Sequence, residues 1–219
     1  MTTVSFVSKK CYVCGHVGRQ AEIGVREAGE PQDLDYRAGG VNRSSIYMWL
    51  QRCLSCGYVA PDIAVGSEAA RSTVADESYR RQRNDTRYPD TINAFLCWGM
   101  IQEACGRFDE AAKAAIYAAW VCDDDADHRD KAKYFRERTL EKMDAAQKKG
   151  QFLTGDQIGD RLLMVDLLRR IGAFAKAAPL CAEELRKDYD EKTRTILLFQ
   201  EKLIEDKDGR RHAIEEAFD

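Results

Sequence analysis

The sequence predicts an α+β protein with two parts, a small β ribbon followed by an all-helical array. Cysteines are paired in the first quarter of the chain, where Cys11 stands with Cys14 and Cys53 with Cys56. From Ser67 onward glycine and proline become rare, and apolar residues recur at three- and four-residue intervals, which is a helical period. The chain has 219 residues, enough for two domains, and we place them at residues 1–64 and 65–219.

The composition indicates a cytoplasmic protein without a membrane span. The first ten residues, MTTVSFVSKK, hold no sustained apolar run, and no later stretch has the eighteen or more apolar residues that cross a bilayer. In such a chain, paired cysteines are more often metal ligands than disulfides. The formal net charge of -3 disfavours a surface that attracts nucleic acid as a whole.

Two copies of the pattern Cys-x-x-Cys-Gly predict one metal site. Two residues between the cysteines let a tight turn aim both sulfurs at the same ion, and two such turns complete a tetrahedron. We therefore predict that the ligands of a structural metal ion are Cys11, Cys14, Cys53 and Cys56. Zinc is favoured, while iron in a rubredoxin-like site uses the same sulfur geometry and stays open. A redox dithiol is disfavoured, because that motif belongs in a βαβ pattern.

The segments around the cysteines predict a ribbon of two strands. Ala21–Arg26 partly alternates apolar and polar residues, and Ser45–Arg52 is rich in aromatic and large apolar residues, with Gly39 and Gly40 in the turn before it. A ribbon of roughly 60 residues is marginal by itself, so metal binding would decide whether it folds. His16 follows the first cysteine pair closely, but four cysteines fill the site, and we expect a surface imidazole.

Several signals locate the helices. Ser67 is the expected cap of the first helix, and the basic cluster Arg80–Arg83 is expected near the end of that helix. A long helix with an exposed face is predicted over Ala126–Lys149, an amphipathic cap of the array over Thr195–Ile204, and a frayed segment over Lys207–Arg211. The acidic residues at 123, 125 and 127 imitate a calcium loop that lacks its glycine and its closing glutamate, so we assign them to the start of the following helix.

One helical segment is similar to the tetratricopeptide repeat, a helix-turn-helix unit. Its signature spacing is matched by Phe95-x-x-Trp98-Gly99, then Gly106 to Ala111, and then Ala118. A weaker second copy runs from Gly172 to Ala177, with Val165 where the early glycine should be. By this resemblance, Asn93, Leu96, Met100 and Glu103 would line a groove that binds an apolar segment of another protein.

The paired cysteines, the stretch from Tyr47 to Ala60 and the helical half together resemble a bacterial family that has an N-terminal four-cysteine zinc ribbon and C-terminal tetratricopeptide-like helices. The family carries a domain of unknown function. The resemblance implies zinc binding and an all-α tetratricopeptide-like array, and it implies no activity. The four remaining cysteines, Cys97, Cys105, Cys122 and Cys181, lack ligand spacing, and we expect them to be small buried residues.

These observations predict a non-enzymatic zinc-binding scaffold or adaptor. No phosphate loop, nucleophile elbow or metalloprotease motif occurs in the sequence, and none of its three histidines belongs to a Glu-x-x-His pair of the type that builds di-iron helical bundles. One alternative is a nucleic-acid-binding regulator, because basic residues flank the cysteines at Lys9, Lys10, Arg19, Arg26, Arg43 and Arg52. A further alternative is an electron carrier with iron at the four cysteines.

Overall fold

Two short antiparallel hairpins form the first part of the chain. The computed structural model describes residues 4–24 and 32–219. Strand β1 (Val4–Lys10) pairs with β2 (Val17–Ile23), and β3 (Gln51–Arg52) pairs with β4 (Val59–Ala60). The register joins Lys10 to Val17 in the first hairpin and Arg52 to Val59 in the second. Each hairpin therefore reverses direction at one copy of Cys-x-x-Cys-Gly.

Helices make up the rest of the fold. Within the described residues the α-helices are α1 (Gly40–Ser44), α2 (Glu68–Ala75), α3 (Glu77–Arg83), α4 (Asp90–Ala104), α5 (Phe108–Asp124), α6 (Lys131–Gln147), α7 (Gln157–Arg170), α8 (Phe174–Leu185) and α9 (Glu191–Glu205). Short 3-10 helices occupy Ile46–Met48 and Ile214–Phe218. No helix in this part of the chain has both the length and the apolar character that crossing a bilayer requires. The predicted order of a β part followed by helices is confirmed.

The strand predicted over Ser45–Arg52 is wrong except at its last two residues. Trp49 of this segment packs against a helix instead of alternating across a sheet, and Tyr47 is exposed. The Trp49 ring lies edge-on to Tyr117 and Trp120 of α5, at centroid distances of 5.0 and 6.4 Å. The strand predicted over Ala21–Arg26 overlaps β2 as far as Ile23, and its last two residues lie outside the described part of the chain.

The helix predicted to begin after Ser67 is present but is interrupted. The Ser67 hydroxyl accepts a hydrogen bond from the Ala70 N–H at 3.1 Å, which confirms it as the cap of α2. Asp76 then leaves the helical conformation, and its carboxylate accepts a hydrogen bond from the Ser78 N–H at 2.7 Å. Because this second cap starts α3, the single predicted helix is two helices, and the basic cluster lies in the last turn of α3.

Two helical hairpins lie where the repeat resemblance predicts them, α4 with α5 and α7 with α8. Gly106 and Gly172 link the paired helices and have positive φ angles of 70° and 78°, which glycine adopts without strain. A Cβ at Gly99 would lie 3.2 Å from the Cβ of Ala114, so this glycine permits α4 and α5 to approach closely. The assignment to the repeat family itself stays a prediction.

The long central helix starts later than predicted, at Lys131. In the preceding turn, the Asp125 carboxylate accepts a hydrogen bond from the Asp127 N–H at 3.0 Å and pairs with the ring of His128 at 2.8 Å. The role that we assigned to the acidic run is also wrong for Asp123. This residue lies at the end of α5, and its carboxylate pairs with Arg136 of α6 at 2.5 Å.

The hydrophobic core contains residues from both predicted domains. One buried cluster joins the second hairpin to the first helices, with Tyr58 and Val59 beside Phe95 and Trp98. A second cluster lies among α7, α8 and α9 and is centred on buried leucines. The hairpins therefore pack directly on the helices, and the division at residues 64 and 65 stays a prediction.

The segment after α9 is not frayed, contrary to the prediction. Arg169 of α7 is fully buried, and its Nη1 donates hydrogen bonds to the carbonyl oxygens of Asp208 at 2.6 Å and Arg210 at 2.8 Å. The segment also pairs with the residues just before α1, because the Leu34 N–H donates to the His212 oxygen at 2.9 Å. A buried charge thus fixes a stretch whose composition suggested disorder.

Candidate metal centre

Both copies of Cys-x-x-Cys-Gly fold into the same turn. The N–H of Cys11 donates to the carbonyl of His16 at 2.8 Å, and the N–H of Gly15 donates back to the carbonyl of Cys11 at 2.8 Å. The turn at Cys53 repeats both bonds at 2.9 Å, with Tyr58 and Gly57 in the corresponding positions. The two glycines have φ angles of 73° and 77°, so the residue type at the end of each motif is set by the backbone.

The two turns bring four sulfur atoms together. All four Sγ atoms lie within 4.8 Å of one another. The pairs Cys11 with Cys56 and Cys14 with Cys53 are 3.7 and 3.6 Å apart, and each pair joins one hairpin to the other. Thiolates at about 2.3 Å from a tetrahedral ion are separated by roughly 3.8 Å. The quartet therefore fits one metal ion, and its members are free cysteines, not disulfides.

The thiols of the quartet do not titrate alike. Burial raises the pKa of the Cys11 thiol above its ordinary value, and burial also raises that of Cys56. Burial acts in the same direction on Cys14, but hydrogen bonds from the His16 N–H and the neighbouring thiols outweigh it and lower the pKa of Cys14 to about 7. Neighbouring thiolates repel one another, so protons are retained on some of the sulfurs. A cation bound among the four sulfurs would displace those protons.

Side chains of α2 and α3 donate hydrogen bonds to backbone carbonyls of the two cysteine turns. Arg71 of α2 donates to the carbonyl of Val13 at 3.1 Å. On α3, Arg83 Nη1 donates to the carbonyl of Cys56 at 2.9 Å, and the hydroxyl of Tyr79 donates to the carbonyl of Gly57 at 2.9 Å. Tyr79 is fully buried, so its hydroxyl lies in the core with a backbone partner. Sequence reasoning missed Tyr79 and did not predict that Arg83 donates a hydrogen bond to a cysteine turn.

Three of the basic residues near the cysteines are paired with acidic ones. Lys9 lies between Glu22 at 2.7 Å and Asp62 at 2.8 Å. Arg43 pairs with Asp124 at 2.5 Å, and Arg52 approaches Asp90 at 3.6 Å. The Arg19 guanidinium lies over the Phe6 ring, and Arg26 falls outside the described residues. These pairs reduce the positive field that a phosphate backbone would meet.

Three of the four predicted groove residues line one cavity. Leu96, Met100 and Glu103 of α4 border a space of about 210 Å³ with Tyr134 and Lys142 of α6 on its far side. The carboxylate of Glu103 forms an ion pair with the ammonium of Lys142. This cavity is therefore apolar along α4 and is bridged at one end by an ion pair.

Asn93, the fourth predicted groove residue, does not line this cavity. Its side chain is only 4% exposed and satisfies the loop before α4, because Nδ2 donates to the carbonyls of Asp85 at 2.8 Å and Tyr88 at 3.1 Å. Its Oδ1 accepts a hydrogen bond from Gln82 at 3.0 Å. A buried amide with three partners supports the fold and is closed to a ligand.

The remaining histidine and cysteine predictions have mixed outcomes. His16 is exposed and lies outside the sulfur cluster, as predicted. Cys97, Cys122 and Cys181 are buried, as predicted, whereas Cys105 at the end of α4 is only half-buried.

Comparison with protein-family models, with curated proteins and with solved structures found no match for this chain. The resemblance to a bacterial family therefore stays a prediction. Two features of the structure agree with it, the close approach of Cys11, Cys14, Cys53 and Cys56, and the helical region that follows them.

Proposed function

We propose that the cysteine quartet holds one structural zinc ion and that the chain is a non-enzymatic scaffold whose helices bind another protein. The metal part of this proposal is supported by four sulfurs that lie within 4.8 Å of one another. They come from two turns that are distant in the sequence, since Cys11 and Cys56 are 45 residues apart and Cys14 and Cys53 are 39 residues apart. Two hairpins this short have little core of their own, so an ion shared between them would fix their relative position.

A structural role fits the ligand set better than a catalytic one. Four cysteines complete a tetrahedron and leave no position for a water molecule or a substrate. Cys11 and Cys53 are each 1% exposed and Cys14 is exposed, so the site is closed by its four ligands and not by burial of the whole quartet. Zinc has no redox chemistry and suits a site that only holds the fold together, whereas ferric iron in the same ligands would give an electron carrier.

Metal analysis of protein purified without added metal tests this assignment. We expect a colourless protein with one zinc ion per chain, and we expect Cys53→Ser to lose the metal. Cys181→Ser is the matched control, because Cys181 is equally buried but lies outside the quartet. A red protein containing iron would support the electron carrier instead. Full zinc content in Cys53→Ser would refute the site.

The proposed partner surface is the cavity between α4 and α6, which we name the α4–α6 groove and which is lined by Leu96, Met100, Glu103 and Tyr134. Tyr134 is half exposed, and Leu96 and Met100 are half-buried, so apolar area is available to a partner. Lys142 is already paired with Glu103, so its ammonium group is not available to bind the carboxylate of a peptide. An apolar segment of another protein fits these surfaces.

Substitutions in the groove distinguish specific partner binding from nonspecific adsorption. Met100→Glu places a charge on the apolar wall and should abolish cross-linking to partners captured from the host. Lys133→Glu adds the same residue at an exposed site of α6 outside the groove, and it should leave that cross-linking intact. Partners that remain bound to Met100→Glu would contradict the groove assignment.

The nucleic-acid alternative has little support from the charges near the cysteines. Lys9 and Arg43, two of the cations that suggested it, are engaged by carboxylates. Phosphate contacts weaken steeply with added salt, so a gel shift at low salt that fades at higher salt would revive this alternative. We expect no shift at low salt.

A further inference from the structure

One edge of the first hairpin pairs with no strand among the described residues. Strand β1 pairs with β2 in an unbroken register over its whole length. The far edge of β2 faces the second hairpin, because the side chain of Gln51 in β3 donates to the carbonyl of Ala21 at 3.2 Å. The far edge of β1 has no strand beside it in the part of the chain that the structure describes. β1 is therefore the open edge of this small sheet.

The hydrogen-bond pattern indicates which backbone groups this edge presents. Opposed residues of an antiparallel ladder alternate between bonded and non-bonded pairs. The Cys11 N–H donates to the carbonyl of the opposed His16 at 2.8 Å, so the neighbouring pair formed by Lys10 is non-bonded. By this alternation, the residues whose N–H and carbonyl groups point away from β2 are Val4, Phe6, Ser8 and Lys10. The outward carbonyl of Ala21, which lies opposite Phe6, agrees with this pattern. Such a row of free groups can pair with another strand.

The side chains of the same four residues lie on the solvent-facing side of the hairpin. Side chains alternate between the two faces along a strand, and opposed residues of two strands share a face. On this open face Val4 is 44% exposed and Phe6 is 58% exposed, and Val17 of β2 is 60% exposed. Lys10 and Arg19 are exposed on the same face. The open face therefore combines apolar area with two cations.

The two cations of the open face have no acidic partner. The Arg19 guanidinium lies over the Phe6 ring, and neither Arg19 nor Lys10 forms an ion pair with a residue that the structure describes. The carboxylate of the hairpin, Glu22, lies on the opposite face and binds Lys9 at 2.7 Å. A second copy of β1 would bring the same cations and no carboxylate to this face, so charge disfavours the pairing of two copies. Charge complementarity favours a strand that carries acidic residues.

We propose that the open edge of β1 binds an extended segment of another protein, with acidic and apolar residues, as an antiparallel third strand. The backbone of the segment pairs with the N–H and carbonyl groups of Phe6 and Ser8. Its apolar side chains lie beside Val4 and Phe6, and its carboxylates lie near Lys10 and Arg19. Nucleic acid would meet the two cations but has no row of amide groups to pair with the edge. No residue of this hairpin lines the α4–α6 groove, so the two surfaces are independent.

A synthetic peptide tests this edge on the full chain. The probe is fluorescently labelled Thr-Glu-Thr-Glu-Thr-Val-Thr-Val-Thr, whose glutamates face Lys10 and Ser8 and whose valines face Phe6 and Val4 when it pairs antiparallel to β1. In low-salt buffer we expect saturable binding below about 1 mM, measured by fluorescence anisotropy. Lysine in place of both glutamates should weaken binding by about tenfold or more. No saturable binding, or equal binding of the two peptides, would overturn the proposal.

Methylation of the peptide backbone separates strand pairing from attraction by charge. The N–H of the valine that faces Phe6 points at the edge, so a methyl group on this nitrogen should weaken binding by about tenfold or more. The N–H of the next threonine points away from β1, so methylation there is the matched control and should leave binding nearly unchanged. Equal affinity of the two methylated peptides would show that the probe does not pair as a strand, which refutes the proposal.

Ser8→Pro blocks the edge and spares the ladder between β1 and β2. The Ser8 N–H points away from β2, so proline removes only an outward donor. We expect this variant to keep the metal content and melting temperature of the parent and to lose the peptide. Ser8→Ala keeps the N–H, and Met100→Glu alters only the α4–α6 groove, so both controls should bind the peptide like the parent. Persistent binding in Ser8→Pro would refute the edge.

Reversal of one charge gives a readout that does not depend on proline. Lys10→Glu should weaken the glutamate peptide and strengthen the lysine peptide, each by severalfold. Metal content, measured on the same sample, checks that the neighbouring cysteine turn is intact. An unchanged preference between the two peptides would contradict the proposed placement of the carboxylates.

Two further measurements identify other occupants of the edge. We expect the parent chain and Ser8→Pro to sediment identically in analytical ultracentrifugation. A dimer of the parent that Ser8→Pro dissociates would show that a second copy occupies the edge, which overturns the proposal. A short oligothymidylate that binds the parent more tightly than the peptide does would assign the surface to nucleic acid and would overturn it as well.

Discussion

The carboxylate of Asp35 accepts a hydrogen bond from the indole Nε1 of Trp120 at 3.1 Å, although the two residues are 85 positions apart. The same carboxylate accepts a hydrogen bond from Arg136 Nη2 at 3.2 Å, and Asp35 is only 2% exposed. This contact fastens the segment between the two hairpins to α5 and α6. Asp35 is thus one of the points where the N-terminal part meets the charged side chains of the helices.

Asp35→Ala should destabilise the protein by about 3 kcal/mol, because it removes one partner from a buried ion pair. The free energy of unfolding in urea measures this effect. Asp144→Ala serves as the control, since Asp144 forms an exposed pair with Lys148 one helical turn away. That control should change the free energy of unfolding by less than about 0.5 kcal/mol. If Asp35→Ala lowered the free energy of unfolding no more than Asp144→Ala does, the contacts of Asp35 with Trp120 and Arg136 would contribute little to stability.

Acid should weaken the fold through Asp123. Burial opposes the charge of this carboxylate, but its hydrogen bonds to Arg136 and the charges of Arg136 and Arg170 outweigh burial and hold its pKa below the ordinary value of 3.8. A lowered native pKa stabilises the fold above the unfolded value, and that stabilisation is lost as the pH falls through the native pKa. Asp123→Asn should therefore show a shallower loss of stability as the pH falls from about 5 to about 2.

The slopes of the stability curves are compared between variants, because acid would also protonate the cysteine ligands of the proposed ion and release it. Urea unfolding of the parent, Asp123→Asn and Asp144→Asn across the same pH values separates the two effects. Asp144→Asn should follow the slope of the parent. Parallel curves for all three proteins would show that Asp123 does not contribute to acid sensitivity.

Tyr79→Phe should loosen the metal centre without removing a ligand. The change leaves the Gly57 carbonyl without its hydroxyl donor in the core, at a cost of about 1–3 kcal/mol. We expect a full complement of zinc but faster extraction by a chelator, followed with a colorimetric zinc indicator. Tyr47→Phe removes a hydroxyl from a side chain that is largely exposed and should leave the extraction rate unchanged. Equal rates for the two variants would separate α3 from the stability of the centre.

Gly99→Val should disrupt the packing of α4 on α5. Even a single Cβ at this position would press on Ala114 at 3.2 Å, and a branched side chain adds two more carbons. Overpacking of this kind costs about 1–3 kcal/mol, which thermal or urea unfolding will detect. Lys133→Val measures the cost of valine at an exposed helical site, about 0.5 kcal/mol. A cost for Gly99→Val no larger than this would show that the helices separate without penalty.

The sequence predicted the grouping of the four cysteines well because the geometry of each turn is local. Two residues and a glycine fix each turn, so the spacing around Cys11 and Cys53 was enough to infer that the sulfurs converge. Helix caps are local in the same way, which is why Ser67 was identified correctly. The groove was harder, since Asn93 is buried by contacts with the preceding loop that the repeat pattern does not contain.

What the sequence could not indicate depends on contacts between distant residues. The aromatic run before Cys53 suggested a strand, but Trp49 is placed by rings of α5 nearly seventy residues later in the chain. The acidic run suggested a helix start, but Asp123 is placed by Arg136. The segment after α9 suggested disorder, but buried Arg169 holds its backbone. In each case the local sequence pattern was described correctly, but a residue far away in the sequence determined the structure that the segment adopts.

The backbone pairing between residues 32–34 and residues 212–214 has a consequence for synthesis on the ribosome. The Ile214 N–H donates to the Gln32 carbonyl at 2.7 Å, so this bond closes only after nearly the whole described chain has emerged. The two cysteine turns, in contrast, can meet once the first sixty or so residues are out. Because domains generally fold as they emerge from the N-terminus, the nascent chain would bring its four cysteines together early and fix its connecting segment last.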